Sequence, residues 1–185
     1  MPAIYRVILN IIMATDKNEL RSRLKKARMA LAAGERQAKS AIIADRLGQL
    51  TDWSHITSLH CFEPIARLNE VNVSDFILAL CSEQPNLKIY TSHQIDNIWR
   101  VVEWHDGLPF AGSAFDVIIV PMLGFDEELH RIGYGGGYYD RFLATQPTAK
   151  KIGVCFEAGK LEQIPVEPHD IPLDIIITEK HTYRR

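Results

Sequence analysis

The order of hydrophobic and polar residues predicts two helices at the beginning of the chain. Apolar residues recur three or four positions apart, as on one face of a helix, at Leu20, Leu24, Ala27 and Leu31. Thr15 or Asp16 is suited to cap this helix, and Gly34 is predicted to end it. A second helix is predicted over residues 35–50, with an apolar side of alanine, isoleucine and leucine.

Beyond Trp53 the pattern changes to short apolar runs that alternate with helical segments. Runs typical of buried strands lie at residues 56–62, 87–91, 99–104, 116–121, 151–156 and 174–178. Helices are predicted at residues 74–82, capped by Ser74, and at residues 137–145. This alternation is typical of the α/β class, in which helices cover a mostly parallel sheet.

Composition and charge narrow the class of protein. The chain has 185 residues, of which 46% are hydrophobic and 24% charged, as in a globular protein with one domain. The net charge of −2 does not fit a globally basic nucleic-acid binder. Nine basic and four acidic residues lie within residues 15–48, so a positive region is expected on an acidic body. A small anionic ligand fits this distribution better than a long polyanion.

Cysteine usage and the N-terminus bear on the compartment. Three isolated cysteines and seven scattered histidines show no zinc or disulfide spacing, which is typical of a reducing compartment. The apolar stretch at residues 7–14 is too short to span a bilayer. We therefore expect a cytoplasmic protein without membrane contact. Residues 1–14 are interpreted as an N-terminal extension, with Met13 as an alternative start, and residues 15–185 as a single domain.

A glycine-rich segment after the predicted strand at residues 116–121 carries the strongest functional signal. It contains Arg131, Gly133, Gly135, Gly136 and Gly137, and a predicted helix follows it. Backbone N–H groups in such a turn, a helix N-terminus and a guanidinium together favour phosphate, although a tight structural turn is the alternative. A Walker A loop and a dinucleotide fingerprint are excluded, because the Gly-Lys-Ser/Thr sequence and the third glycine are missing.

The same segment resembles a known family. Residues 131–143, Arg-Ile-Gly-Tyr-Gly-Gly-Gly-Tyr-Tyr-Asp-Arg-Phe-Leu, are similar to the signature of the 5-formyltetrahydrofolate cyclo-ligase family. The resemblance extends to residues 116–126 and 164–179, and upstream to the pattern Lys-x-x-Leu-Arg at residues 17–21. It implies a Rossmann-like α/β domain of the type found in ribose-5-phosphate isomerase and CoA transferases.

The resemblance also implies a reaction. An ATP- and Mg²⁺-dependent ligase of this family converts 5-formyltetrahydrofolate to 5,10-methenyltetrahydrofolate, with phosphorylation of the formyl oxygen and release of ADP and phosphate. A formamide oxygen is a poor leaving group until phosphate is placed on it. Such transfer depends mainly on positioning and charge neutralisation. ATP and the folate are thus the expected small-molecule partners of a protein expected to be a monomer.

Site residues follow from the resemblance, position by position. It implies ATP contacts from Lys17, Arg21, Arg131, Gly133, Tyr134, Gly135, Gly136, Gly137, Tyr138 and Tyr139. It implies folate contacts from Ile65, Glu70, Tyr134 and Tyr138, catalytic roles for Arg131 and Tyr138, and Mg²⁺ ligands at Asp140 and Asp170. Lys17, Arg21 and Arg28 are expected to lie together on the side of the first helix away from its apolar residues. Without the resemblance, a solvated helix face would better explain Lys17 and Arg21.

Two alternatives to the ligase stay open at this point. The stretch between Tyr90 and Asp116, which helps to form the pterin pocket in the family, is shorter than usual, and Thr91 and Ser92 stand where a proline is expected. One alternative is therefore a nucleotide-binding paralogue that kept the phosphate loop without folate turnover. The other is a phosphosugar isomerase or transferase on the same architecture.

Overall fold

The structure is a computed structural model that describes residues 16–50, 52–95, 98–112 and 114–185. The predicted extension at residues 1–14 and Thr15, one of the two predicted caps, lie outside the described residues. The α-helices of the described part are α1 (Lys17–Met29), α2 (Ala33–Gly48), α3 (Ser74–Glu83) and α4 (Tyr138–Ala144). Short 3₁₀ helices lie at Trp53–His55, Ala66–Leu68 and Glu157–Gly159. No helix in these ranges is both long and apolar enough to cross a membrane.

A seven-stranded sheet forms the centre of the fold. Its strands are β1 (Ser58–His60), β2 (Lys88–Ile95), β3 (Ile98–Glu103), β4 (Val117–Pro121), β7 (Lys150–Val154), β8 (Ile175–Ile177) and β9 (Thr182–Arg184). The order is β3-β2-β1-β4-β7-β8-β9, with parallel pairing from β2 to β8 and antiparallel pairing at both edges. A separate antiparallel ribbon joins β5 (Gly124–Phe125) and β6 (Arg131–Ile132). The predicted α/β class with a mostly parallel sheet is confirmed.

Both faces of the sheet are covered, because alternate residues of each strand point to opposite sides. In β4, Val117 and Ile119 pack with the buried residues of α2 and α3 on one face. Ile118 and Val120 pack with Leu143 of α4 on the other face. The continuous apolar run in β4 is therefore explained by burial on two sides, as is usual in parallel sheets.

Three predictions of helix ends and faces are wrong. The first helix ends at Met29 instead of Gly34, because Ala30 is its C-cap and Gly34 already lies in the first turn of α2. Ser74 does not cap α3, since Val73 is the N-cap and Asn72 Oδ1 accepts the Ser74 N–H. Arg28 does not share the outward face, because it follows Leu20 and Leu24 at intervals of four and is buried with them. Asp16 does cap α1, by accepting the N–H of Asn18.

The strand predictions locate β1 to β4, β7 and β8 and miss β5, β6 and β9. The strand predicted at residues 56–62 is only Ser58–His60, and the strand predicted at residues 87–91 continues to Ile95. The strands β5, β6 and β9 are not predicted from the sequence. β5 and β6 have two residues each, and the three residues of β9 lie in a polar stretch, so no apolar or alternating pattern marks them.

The close approach of two backbone segments beneath α1 gives a first prediction. A Cβ atom at Gly159 would lie 2.6 Å from the backbone oxygen of Leu123, whereas a Cβ atom at Gly34 would meet nothing within 4 Å. We expect Gly159→Ala to lower the free energy of unfolding by about 1–3 kcal/mol, because backbone atoms must move to relieve the overlap. Gly34→Ala, the control, should raise it by up to about 1 kcal/mol. Urea unfolding of both variants measures this, and an unchanged Gly159→Ala midpoint would contradict the packing described.

Candidate active site

One cavity of about 550 Å³ opens at the carboxyl ends of the parallel strands. The ends of three strands line this cavity. Phe62 and Glu63 follow β1, residues 92–94 belong to the second half of β2, and Pro121 ends β4. Ligands of open α/β sheets bind at this edge. The volume lies within the usual range for a small-molecule site.

The structure brings every sequence-predicted site residue to this cavity. The predicted residues that line it are Lys17, Arg21, Ile65, Glu70, Arg131, Gly133, Tyr134, Gly135, Gly136, Gly137, Tyr138, Tyr139, Asp140 and Asp170. Further lining residues that the sequence did not indicate are Phe62, Glu63, Ser92, His93, Gln94, Trp99, Pro121, Glu167 and His169. The shortened stretch after Tyr90 thus still supplies one wall of the cavity, through β2 and Trp99 of β3.

The glycine-rich loop leaves its backbone donors available. Gly135 and Gly137 have φ values of 101° and 63°, a left-handed conformation that other residues rarely adopt. In the part of the chain that the structure describes, the N–H groups of residues 133–137 donate no hydrogen bond to another protein group. Together with the free N–H groups of the first turn of α4, they can donate to oxygen atoms of an anionic ligand in the cavity.

Two cations of α1 reach the cavity from the side of this loop. Lys17 Nζ lies 2.6 Å from both Glu167 Oε2 and Asp170 Oδ2. Burial lowers the pKa of Lys17, but the hydrogen bonds to Asp170 and Glu167 outweigh burial and raise it overall. Arg21 donates from Nε to the carbonyl oxygen of Gly133 at 3.2 Å. The pattern Lys-x-x-Leu-Arg therefore places two positive charges beside the glycine-rich loop, as predicted from the i, i+4 spacing.

Arg131 is buried and ties three segments together. Its side chain is 5% exposed, and its two terminal nitrogens donate to the carbonyl oxygen of Ile171 and to Asp140 Oδ1. Burial lowers the pKa of Arg131, while the charges of Asp140 and Asp170 oppose that shift. The guanidinium therefore lies near both predicted metal ligands and carries the charge that compensates them.

Asp140 and Asp170 each keep one oxygen for a further ligand. Among the described residues, Asp140 uses only Oδ1, towards Arg131, and Asp170 uses only Oδ2, towards Lys17 and the N–H of Glu167. Burial raises the pKa of Asp170, but these two hydrogen bonds outweigh it and lower the pKa overall. The Asp170 carboxyl is thus ionised at neutral pH. Two monodentate carboxylates beside a phosphate site are the donor set that Mg²⁺ prefers, completed by phosphate oxygens and water.

The structure shows a second group of potential metal ligands that the sequence did not indicate. Single ligand atoms of Glu167, His169 and Asp170 lie within 4.8 Å of one another. The scattered histidines had shown no metal-ligand spacing, and the turn at residues 167–170 brings His169 next to two carboxylates only in the folded chain. The nearness of Glu167 and His169 to Asp170 in sequence was the available signal.

Glu70 belongs to a buried hydrogen-bonded chain. It is 6% exposed, and its two oxygens accept from the Ile65 N–H and from the Tyr134 hydroxyl. Arg28 in turn donates to the Tyr134 oxygen at 2.8 Å. The Arg28 charge thus compensates the Glu70 carboxylate through one shared hydroxyl, and burial raises the pKa of Tyr134 so that this hydroxyl stays protonated. Arg28 was missed in the sequence, although its spacing of four from Leu24 indicated an inward direction.

Aromatic rings complete the cavity wall. The ring centroids of Trp99 and Tyr138 lie 4.6 Å apart with an interplanar angle of 32°. Trp99 is 46% exposed and both residues line the cavity, so part of this aromatic pair is accessible to a planar ligand. Burial raises the pKa of both Tyr138 and Tyr139, so their hydroxyls are protonated at neutral pH.

These features define a class: Rossmann-like α/β proteins that hold an anionic ligand on a glycine-rich loop at the carboxyl ends of the strands. Residues 97–179 match the family model described as the 5-formyltetrahydrofolate cyclo-ligase family. The chain is 29% identical to the 5-formyltetrahydrofolate cyclo-ligase of Mycoplasma pneumoniae, over 89% of this chain and 99% of that protein.

Solved structures agree with the sequence comparison. The structure of a 5,10-methenyltetrahydrofolate synthetase from Mycoplasma pneumoniae superposes with a TM-score of 0.79 and 30% identity, covering 89% of this chain and 99% of that one. The NMR structure of the Aquifex aeolicus 5,10-methenyltetrahydrofolate synthetase has a TM-score of 0.74 and 25% identity, covering 91% and 92% of the two chains. The chain belongs to the 5-formyltetrahydrofolate cyclo-ligase family.

Proposed function

We propose that this protein catalyses the ATP-dependent cyclisation of 5-formyltetrahydrofolate to 5,10-methenyltetrahydrofolate, with release of ADP and phosphate. The observation that carries the proposal is a single cavity that combines two kinds of wall. One kind consists of cations and free backbone N–H groups suited to a triphosphate. The other consists of Ile65, Glu70 and the Trp99–Tyr138 pair, which suit a flat ring system with hydrogen-bonding edges.

The first step requires that the formyl oxygen attack the γ-phosphorus of ATP, with ADP as the leaving group. Lys17 and Arg21 bind the phosphates with the glycine-rich loop, and their charges offset the negative charge that grows on the bridging oxygen. In the free protein Lys17 is occupied by Glu167 and Asp170. ATP binding therefore replaces a carboxylate partner of Lys17 with a phosphate partner.

The second step closes the ring. The N10 nitrogen attacks the carbon of the phosphorylated formyl group and loses its proton, and the lone pair of N5 expels phosphate to give the methenyl cation. Glu70 is held by Ile65 and Tyr134 in the wall of the cavity, where a carboxylate orients the N–H edge of a pterin. The Tyr138 hydroxyl stays protonated and orients a substrate oxygen as a hydrogen-bond donor, whereas the Tyr134 hydroxyl donates its proton to Glu70.

Asp140 and Asp170 are the residues that would hold Mg²⁺, with His169 and Glu167 beside them. The bound metal ion would neutralise charge on the phosphate oxygens during transfer. Arg131 keeps Asp140 in place through its ion pair, and the Glu167 N–H keeps Asp170 in place. The protein thus positions both carboxylates through bonds that use only one oxygen of each.

The nucleotide-binding alternative without folate turnover is not favoured. It rested on the shortened stretch after Tyr90, and this stretch contributes Ser92, His93, Gln94 and Trp99 to the cavity. We also propose a monomer in the cytoplasm, with ATP and the folate as its small-molecule partners. The free thiols of Cys61, Cys81 and Cys155 support a reducing compartment.

The reaction itself can be observed directly. Purified protein with ATP, Mg²⁺ and 5-formyltetrahydrofolate should generate the near-ultraviolet absorbance of the methenyl product, and omission of ATP should abolish it. Binding of a fluorescent ATP analogue is measured on the same preparation. Nucleotide binding without any ATP-dependent absorbance change would overturn the proposal and restore the non-catalytic paralogue.

Arg21 provides a test of the ATP site. Arg21→Ala should weaken ATP binding by roughly ten- to one-hundred-fold, because a charge-assisted hydrogen bond contributes about 1.5–3 kcal/mol. Affinity for 5-formyltetrahydrofolate should stay nearly unchanged. Titration calorimetry measures both constants, with Arg23→Ala as the matched control, since Arg23 is exposed on the same helix and does not line the cavity. Equal ATP affinity in the two variants would show that Arg21 does not bind ATP and belongs to a solvated helix face.

The two aspartates are tested by turnover, by rescue with magnesium and by the stability of the ligand-free protein. Asp140→Asn and Asp170→Asn should each lower turnover about a hundredfold or more, because charge on the transferring phosphoryl group is no longer neutralised. Excess Mg²⁺ should not restore it fully. Asp140→Asn should also lower the free energy of unfolding without ligand by about 1–3 kcal/mol, because buried Arg131 loses a charged partner.

Turnover across a magnesium series and urea unfolding of the metal-free protein measure these effects. Glu162→Gln, which removes one exposed carboxylate outside the cavity, is the control and should change neither quantity. Near-normal turnover in both aspartate variants would exclude these residues from metal binding.

A further inference from the structure

A histidine lies in the sheet directly behind the cavity. His60, the last residue of β1, is fully buried, and its ring centroid lies 4.6 Å from that of Phe142 and 5.7 Å from that of Phe115. Burial lowers the pKa of His60 to about 3, so the imidazole is neutral at pH 7. A neutral imidazole carries one N–H donor and one bare nitrogen acceptor.

His60 is the inner end of a hydrogen-bonded chain that reaches the cavity. Its Nε2 atom lies 2.7 Å from Ser92 Oγ, and Ser92 Oγ is hydrogen-bonded to the Tyr138 hydroxyl. Ser92 and Tyr138 both line the cavity. Within the described residues, the other ring nitrogen of His60, Nδ1, is buried and has no hydrogen-bond partner.

The unpartnered Nδ1 atom decides the direction in which protons are donated along the hydrogen bonds from His60 through Ser92 to Tyr138. If Nδ1 carried the proton, an N–H donor would be buried without a partner. Nε2 would then accept from Ser92, and the Tyr138 hydroxyl would donate its proton to Ser92 instead of to the cavity. If Nε2 carries it, Nδ1 is only an unused acceptor, which is the less costly of the two defects. Nε2–H then donates to Ser92. Among the described residues the Tyr138 oxygen is the remaining hydrogen-bond partner of the Ser92 hydroxyl, so Ser92 donates its proton to that oxygen. The Tyr138 proton then points away from Ser92.

We propose that His60, acting through Ser92, is a positioning residue that presents the Tyr138 hydroxyl to the cavity as a hydrogen-bond donor for a carbonyl or phosphoryl oxygen of the bound substrates. The identity of that acceptor rests on the proposed cyclo-ligase reaction, whereas the direction of the chain does not. The Trp99 ring packs against the Tyr138 ring at a tilted angle and restrains it, so the hydrogen bond from Ser92 fixes the remaining freedom of the hydroxyl.

The direction is tested without any activity measurement. The ¹⁵N chemical shifts of the His60 ring distinguish the two neutral tautomers, and His60→Gln assigns the signals among the seven histidines of the chain. Protonation at Nε2 with a bare Nδ1 is expected. Protonation at Nδ1 would overturn the proposal, whatever the enzyme activity, because Tyr138 would then be held as a donor to Ser92.

The consequence for turnover is tested with neighbouring hydroxyls of β2. Ser92→Ala should lower kcat about tenfold with an unchanged KM for ATP, because the Tyr138 hydroxyl loses the hydrogen bond that orients it. Thr91→Val is the matched control, since Thr91 Oγ1 is buried, has no hydrogen-bond partner among the described residues and does not line the cavity. It should leave kcat unchanged.

A double-mutant cycle separates positioning from a general effect on packing. In the Tyr138→Phe background, Ser92→Ala should cause no further loss of kcat, because the hydroxyl that it orients is gone. His60→Gln, whose amide nitrogen can replace Nε2 as donor, should keep more activity than His60→Phe. Additive losses in the cycle, or equal losses in the two His60 variants, would overturn the positioning role. An inactive wild-type protein with the Nε2 tautomer would instead refute only the proposed reaction.

Discussion

The arrangement of the cavity depends on one buried guanidinium. Arg131 extends from the short strand β6, and its two terminal nitrogens hold Asp140 at the start of α4 and the carbonyl oxygen of Ile171. A charge with 5% exposure is costly unless its donors are satisfied. Satisfying this guanidinium brings β6, the start of α4 and the distant residue Ile171 together, and the glycine-rich loop lies between the first two of these segments. Asp170 precedes Ile171 in the chain and therefore lies in the same cavity wall as Arg131.

Charge balance inside the cavity follows from this arrangement. Lys17 is paired with Glu167 and Asp170, and Arg131 is paired with Asp140, so each of these charges has a partner of opposite sign in the free protein. In the proposed reaction, a triphosphate would supply a negative partner for Lys17, and a divalent cation would supply a positive partner for Asp140 and Asp170. Binding of both would therefore exchange partners without leaving one of these charges unpaired, which suits the proposed transfer of a phosphoryl group.

Much of the fold and site could be predicted from the sequence because the signals are local. The β-branched run of β4, the i, i+4 pair Lys17 and Arg21 and the glycine-rich segment are each visible within a few residues, and family resemblance supplied Glu70 and Asp170. What could not be predicted depends on tertiary contact. The inward side chain of Arg28, the ribbon of β5 and β6 and the link from His60 through Ser92 to Tyr138 arise only when separate segments pack together.

The most direct measurement follows the oxygen atom of the formyl group. 5-Formyltetrahydrofolate labelled with ¹⁸O in that group is converted with unlabelled ATP, and the released phosphate is examined by ³¹P NMR. Cyclisation through a phosphorylated formyl oxygen predicts that one ¹⁸O atom appears in each phosphate released. Unlabelled phosphate, with the label lost to water, would contradict the role assigned to this cavity.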